Sequence, residues 1–487
     1  MDLIDKTIKG TIWAYGAEIM AKVITPLSFI VLSHILTPDD YGVVAVATTI
    51  LMFLNILCDL GTSQVIIQAP DEDKNWFYNI CNSGFWLNAI LGLSLFLLVE
   101  FFAPLIADYY NQPDSTLVIR VMAIQILFTS LSSIQNSLKR KDLNFKYLFN
   151  LRVITVFVPI FVAIPIAFLG GSYWAIVLSS VISSFLQTIC LWYNSSWRPK
   201  IKIELQYFRC LFSKSIWNTF NQLFIWIPIS LDTYFISKYL NPADLGLYTT
   251  SRTLFSSFSG LILAPIAPVI FSSLSKIHQL KEFINLTYKS QKILFSVSAI
   301  SSLGVFMFAE YVTLIIFNDK WIGITPIIQI IFLIMGYEYF GSVIYEAVRA
   351  KGWFKQMSFI YLISIIITIP LLYWGAISAD IKIYTIIRTL TLYIPMIGIF
   401  ILAHRIGISF KTCITNNKFV ILGSLIIIPF VLYLNYIDDY YITGICKLLI
   451  YLLFSAIFIK KNRHIFNSIK SRIKILFPFR FNKNTNE

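Results

Sequence analysis

Leu36-Thr37-Pro38-Asp39-Asp40-Tyr41-Gly42 separates two apolar runs, residues 11–36 and 42–68, and it has a counterpart further along the chain. A shift of 204 positions lays Leu36 on Leu240, Pro38 on Pro242, Asp40 on Asp244 and Gly42 on Gly246 without a gap, and Trp13 on Trp217. Apolar helices resemble one another by chance, whereas the loops between them do not, so these matches mark an internal repeat. A second echo places Lys141, Phe145 and Lys146 over Lys351, Phe354 and Lys355. The first apolar hairpin therefore recurs as segments seven and eight, and six segments repeat as six. Six is even, so both halves start from the same side, which predicts a pseudo-two-fold axis along a membrane normal.

The composition makes that membrane obligatory. The 487 residues are 57% hydrophobic and only 13% charged, against about 25% charged in soluble domains, and mean hydropathy is +0.73. A spanning helix needs roughly 20 apolar residues. Runs of that length fall near 11–36, 42–68, 80–103, 117–137, 149–169, 174–194, 215–240, 247–272, 291–316, 326–348, 357–375, 381–403, 419–436 and 442–460. Thr37-Pro38-Asp39-Asp40, Gly170-Gly171-Ser172, Asn241-Pro242-Ala243-Asp244 and Asn318-Asp319 supply turn chemistry between them. The expected fold is an all-α polytopic membrane protein of about fourteen transmembrane helices. It comprises an N-terminal lobe (1–194), a linker (195–214), a second lobe (215–403), an appended pair of helices (404–460) and a basic tail (461–487).

The first run lacks a small-residue cleavage site and reads as a retained helix. Cys58, Cys81, Cys190, Cys210, Cys413 and Cys446 lie far apart, with no C-x-x-C pair, and the four histidines are scattered. Neither a disulfide framework nor a metal is indicated, and no cofactor is expected. The net charge of +14 does not require nucleic acid, because in a membrane protein the distribution of Lys and Arg over alternate loops is what carries meaning. One set of segments collects most of the basic residues, including Lys139-Arg140-Lys141, Arg198 to Lys214, Arg349 to Lys355 and the tail from Lys460. The alternate loops hold Lys238, Lys320 and Lys382 with Asp39, Asp40, Asp244, Asp438 and Asp439. Both termini are therefore expected on the cytoplasmic side, and the tail reads first as a positive-inside anchor, with an amphipathic helix lying on anionic lipid as the alternative. Trp76, Trp86, Trp174, Trp192 and Trp321 sit near helix ends and read mainly as an interfacial belt.

Ionisable groups inside spans cost several kcal/mol unless they face a cavity or a partner, so each is a functional candidate. Lys22 stands near the middle of the first span, with Glu18 four residues before it and Asp59 at nearly the same depth across the hairpin. Arg120, Arg252 and Arg388 lie one to two turns from the outer ends of spans four, eight and twelve. Asp232 comes level with Arg252 across the second hairpin. Glu338 lies near the middle of span ten and Glu346 near its inner end. Arg152 and Lys447 are close enough to helix ends to snorkel. Two readings compete: pairs that merely neutralise each other, or a hydrated cavity whose excess positive charge holds an anion. Polar stripes favour the cavity, with Thr11, Tyr15, Glu18, Lys22 and Thr25 on span one and Asn218, Asn221, Gln222 and Asp232 on span seven. Lys22, Arg252, Arg120 and Arg388 are the substrate-binding candidates, since arginine forks onto phosphate oxygens and lysine acts as a point charge. Glu18, Asp59, Asp232, Glu338 and Glu346 are candidates for charge pairing or for carrying a coupling ion.

The signature Leu36-Thr37-Pro38-Asp39-Asp40-Tyr41-Gly42, followed by a span ending Asp59-Leu60-Gly61-Thr62-Ser63-Gln64 and Ile66-Ile67-Gln68, resembles the N-terminal region of Wzx-type polysaccharide flippases. These belong to the multidrug/oligosaccharidyl-lipid/polysaccharide exporter superfamily. The resemblance implies alternating-access translocation of an undecaprenyl-diphosphate-linked oligosaccharide to the outer face of a bacterial inner membrane, for O-antigen or exopolysaccharide synthesis. It also implies cationic cavity residues, which by span fall on Lys22, Arg252 and either Arg120 or Arg388. Polysaccharide polymerase machinery is the implied partner. A drug or metabolite exporter of the same superfamily would share the fold, but the arginines suit it less. A membrane glycan polymerase or ligase would need a substantial outer loop, which the sequence lacks, and no nucleophile constellation or phosphate-cradling glycine loop is present. A scaffold would have no use for intramembrane cations.

Overall fold

The computed structural model describes Trp13, Gly16, Met20, Ala21, Ile24 and Thr25, then residues 27–68, 74–142, 144–200, 205–263, 266–277, 279–321, 323–434 and 440–461. Among these residues all regular structure is helical. Within the described residues, eleven helices are long and apolar enough to cross a membrane. The first span and the helices Leu205–Tyr239 and Pro242–Leu263 stand beside those eleven, an arrangement compatible with the fourteen expected.

The signature loop starts helix α1 (Pro38–Asp59). Thr37 is its N-cap: the Thr37 hydroxyl accepts from the Asp40 N–H, and Asp40 Oδ2 accepts from the Thr37 N–H at 2.8 Å, a reciprocal capping box with Pro38 in the first turn. The expected run 42–68 is broken. Leu60 (φ 41°) and Gly61 (φ 74°) turn left-handed, ending α1 and starting the short α2 (Thr62–Gln68). Helix α3 (Lys74–Tyr109) and α4 (Ser115–Lys141) follow. Helix α5 (Phe145–Val158) then widens into a π turn at Pro159–Ala163 before Ile164–Phe168 completes the span. Pro159 and Pro165 each lack a backbone donor, which locally loosens the hydrogen-bond ladder.

Next come α6 (Trp174–Tyr193), α7 (Leu205–Tyr239) and α8 (Pro242–Leu263), then α9 (Ala267–Ser275), α10 (Leu280–Met307), α11 (Ala309–Ile316) and α12 (Ile324–Ala350). The chain ends with α13 (Phe354–Ile377), α14 (Ile381–Thr391), α15 (Tyr393–His404), α16 (Phe410–Leu434) and α17 (Tyr440–Lys461). Asn241 caps α8 as Thr37 caps α1, its Oδ1 accepting from the Asp244 N–H at 2.8 Å. The basic tail beyond Lys461 lies outside the described residues.

Contacts divide the chain into two units that interleave along the sequence. The first comprises the described residues of Met1–Ile266, Tyr311–Ile331 and Phe354–Pro395, the second those of Ala267–Glu310, Phe332–Trp353 and Met396–Glu487. In the first, α1 packs on α8, α4 and α7, α4 on α3 and α6, and α13 on α7 and α14. The α1–α8 crossing is made by the repeated glycines. A Cβ on Gly42 would overlap the carbonyl oxygen of Pro242, and one on Gly246 would overlap that of Pro38. Trp321 belongs to this unit and is 1% exposed, so it is no belt residue; its indole donates to the Ser33 carbonyl at 2.8 Å.

In the second unit α10 packs against α16 and α17 around Leu303, Phe306, Met307, Ile427, Val431 and Phe454. Lys447 also departs from expectation. It is 1% exposed and paired with Glu310 at 3.2 Å, because a carboxylate within reach offers its ammonium more than a partial climb to the interface would.

Candidate functional site

The first unit gathers four donors onto one carboxylate. Asp232 lies on α7, and only 3% of its side chain is exposed. Its Oδ2 accepts from the Tyr248 hydroxyl at 3.1 Å and from Arg252 Nη1 at 2.7 Å. Its Oδ1 accepts from the Tyr384 hydroxyl at 2.9 Å and from Arg388 Nε at 2.6 Å. Tyr248 and Arg252 both come from α8, and Tyr384 and Arg388 both from α14. Each pair is spaced i, i+4, the distance that puts two side chains on one helical face. Two copies of Tyr-x-x-x-Arg thus converge on one aspartate. Arg388 is anchored further by donating to Thr391 Oγ1 at 3.2 Å.

The four groups satisfy the carboxylate, but the charges do not cancel. Two guanidinium groups against one carboxylate leave one net positive charge at the cluster. The excess sits on Arg252, whose side chain is 28% exposed, while that of Arg388 is 6% exposed. Arg252 spends Nη1 on Asp232 and keeps further N–H groups of its fork for another anion. About ten residues separate it from the start of α8, roughly 15 Å of helix, so the charge lies well inside the span. Burial of Arg388 is tolerated because its Nε is at hydrogen-bonding distance from Asp232 and its Nη1 reaches the Thr391 hydroxyl.

The other candidates fall elsewhere. Arg120 pairs with Glu100 of α3 at 3.7 Å, both partly exposed, and is not joined to the Asp232 cluster among the described residues. Glu346 is held by Arg349 at 3.2 Å on its own helix. Asp59 is held by hydroxyl groups, including Ser63 Oγ at 2.6 Å and Ser133 Oγ at 3.1 Å. Glu18 and Lys22 lie outside the described residues, as do Thr11 and Tyr15 and the side chains of Asn218, Asn221 and Glu338. Sequence reading had paired Asp232 with Arg252 but missed Tyr248 and Tyr384. The signal was present as Tyr248-Thr249-Thr250-Ser251-Arg252 and Tyr384-Thr385-Ile386-Ile387-Arg388; phenols are common enough in membrane helices to pass for belt residues.

The comparisons with known proteins converge. The family described as "Polysaccharide biosynthesis protein" matches residues 31–326, a stretch that contains both copies of the hairpin loop and both Asp232 and Arg252. The chain is 24% identical over 313 residues to the succinoglycan biosynthesis transport protein ExoT of Rhizobium meliloti (strain 1021), covering 63% of this chain and 61% of that one. It is 21% identical over 356 residues to the lipopolysaccharide biosynthesis protein WzxC of Escherichia coli (strain K12), covering 72% and 71%. Among solved structures, the lipid II flippase MurJ in an inward closed conformation shares the fold, with a TM-score of 0.75 at 16% identity over 92% of this chain and 99% of that one.

Proposed function

The chain belongs to the polysaccharide biosynthesis protein family, and from that premise we propose that it translocates an undecaprenyl-diphosphate-linked oligosaccharide across a bacterial cytoplasmic membrane. The observation that carries the proposal is the Asp232 cluster, which positions Arg252 deep in a span with unspent donors and one net positive charge. Such a group suits the diphosphate, the one part of this substrate that is both anionic and common to every glycan built on it. Relatives named for polysaccharide transport and for lipid II flipping support the same class of cargo. Lys22, one span earlier in the repeat, supplies a second cation to the pathway, and Arg388 acts through Asp232 to hold Arg252 in place. Arg120, tethered to Glu100, is the weakest of the four candidates.

The energetic task is to move a sugar chain and a diphosphate through hydrocarbon, where unsatisfied charge is prohibitive. The polyprenyl tail has no such penalty and stays in lipid while the polar head passes through the protein. In the two-lobe scheme, 1–194 and 215–403 alternate between opening inward and opening outward, with both termini cytoplasmic. The Gly42–Gly246 crossing then closes the pathway at the ends of α1 and α8, and its separation opens them. No covalent chemistry is required of the protein; the product passes to polymerase machinery on the outer face.

The deciding experiment is the sidedness of the lipid-linked oligosaccharide in glycan-producing cells with and without this gene, probed with a membrane-impermeant glycosidase. Accumulation on the cytoplasmic face only in the gene's absence is the expected result. Unchanged sidedness, in cells with no second flippase, would overturn the proposal.

A further inference from the structure

We infer that a polar cavity walled by α1, α3, α4 and α6 is a binding site for a monovalent cation, with Asp59 as its charged ligand. The cavity measures about 220 Å³, enough for a small ion and several waters at about 30 Å³ each. Asp59 is the single charged residue that lines it among the described residues. Its Oδ1 is fully engaged, accepting from Thr62 Oγ1 at 3.2 Å, Ser63 Oγ at 2.6 Å, the Ser63 N–H at 3.4 Å and Ser133 Oγ at 3.1 Å. All of these donors are neutral. They fix the carboxylate without cancelling its charge, and its Oδ2 accepts no hydrogen bond among the described residues.

The hydroxyls of the walls present oxygen lone pairs rather than protons. A hydroxyl carries one proton and two lone pairs, and here the protons are spent. Ser130 donates to the Leu127 carbonyl at 2.9 Å, Ser132 to that of Phe128 at 2.9 Å, and Thr129 to Asn55 Oδ1 at 2.9 Å. Asn136 and Gln187 line the same space with amides that make no hydrogen bond among the described residues. Asp59 ends α1 and accepts from the Ser63 N–H in the first turn of α2, so the opposite partial charges of the two helix ends offset each other and the carboxylate's own charge sets the potential. One carboxylate among neutral oxygens is a hard-ligand set of low total charge, which fits a sodium- or potassium-like ion better than a divalent one. The same potential repels an anion, so this site is distinct from that of Arg252 and is read by binding alone, whatever cargo the protein carries. Lys22 is the rival occupant, since its depth along the first span matches that of Asp59.

The test is equilibrium binding of ²²Na⁺ and ⁸⁶Rb⁺ to the full-length purified protein, with competition by NaCl, KCl and choline chloride. Saturable binding of one of these ions, displaced by its alkali salt and not by choline, is expected. Asp59→Asn keeps an oxygen to accept from Ser63 while removing the charge, and should weaken binding at least tenfold in a protein that still elutes as a single species. Asn136→Leu and Gln187→Leu, which touch none of the Asp59 hydrogen bonds, should each weaken it severalfold. Absence of saturable binding in the unmodified protein, unchanged affinity in Asp59→Asn, or binding that appears only in Lys22→Ala would each overturn the assignment.

Discussion

Gly42 lies flush against the carbonyl of Pro242, and its repeat partner Gly246 lies in the same way against the carbonyl of Pro38. The contact is reciprocal, as a two-fold axis between α1 and α8 requires. Gly42→Ala should force the two helices apart and cost about 1–3 kcal/mol, the usual toll of overpacking, and Gly246→Ala should do the same. Because one separation relieves both clashes, the double variant should be little worse than either single one, a departure from additivity expected of sites in contact. Thermal unfolding of the three purified variants measures this, and fully additive losses would show that the two glycines act independently.

Removing the carboxylate at Asp232 leaves Arg388 buried without a counter-charge. Asp232→Asn should therefore destabilise the protein by about 3–5 kcal/mol, the range for breaking a buried ion pair from one side. Asp232→Asn combined with Arg388→Met should recover much of that loss, because the desolvated guanidinium is gone as well. Denaturation midpoints for the single and double variants decide it; a double variant weaker than Asp232→Asn alone would contradict the account.

Arg252 is partly exposed and shares its carboxylate with Arg388, so Arg252→Ala leaves Asp232 paired with Arg388 and both phenols and should leave folding nearly intact. Export should nevertheless fall at least tenfold while the protein remains at normal levels in the membrane. Arg252→Lys should recover part of the activity, keeping the charge but not the fork. Lys22→Ala should block export in the same manner. Measurement of surface polysaccharide alongside membrane protein level separates the two effects, and normal export by both alanine variants would remove the cationic pathway.

The Lys447–Glu310 pair behaves differently on its two sides. Glu310→Gln takes the paired carboxylate away from a buried ammonium and should lower stability, whereas Lys447→Met replaces that ammonium with a side chain content in an apolar setting and should be near neutral. Equal destabilisation by the two substitutions in a thermal melt would argue against the ion pair as the reason for the burial of Lys447.

The sequence alone determined that this chain crosses a membrane many times, that its hairpin from Thr37 recurs from Asn241, and that Asp232 comes level with Arg252. These features depend on composition, on helical rise and on loop identity, all of which are local. It did not reveal that Leu60 and Gly61 split the second span, because a left-handed pair inside an apolar run leaves the hydropathy unchanged. Nor did it distinguish Lys447 from a snorkelling lysine or Trp321 from a belt tryptophan, since position near a helix end is equally true of both. Only the tertiary structure brought Tyr384 and Arg388 to Asp232, across 152 and 156 residues of chain. Such a meeting depends on how helices pack, and the energy that selects it, desolvation balanced by paired charge in a low-dielectric interior, has no counterpart in a single segment read by itself.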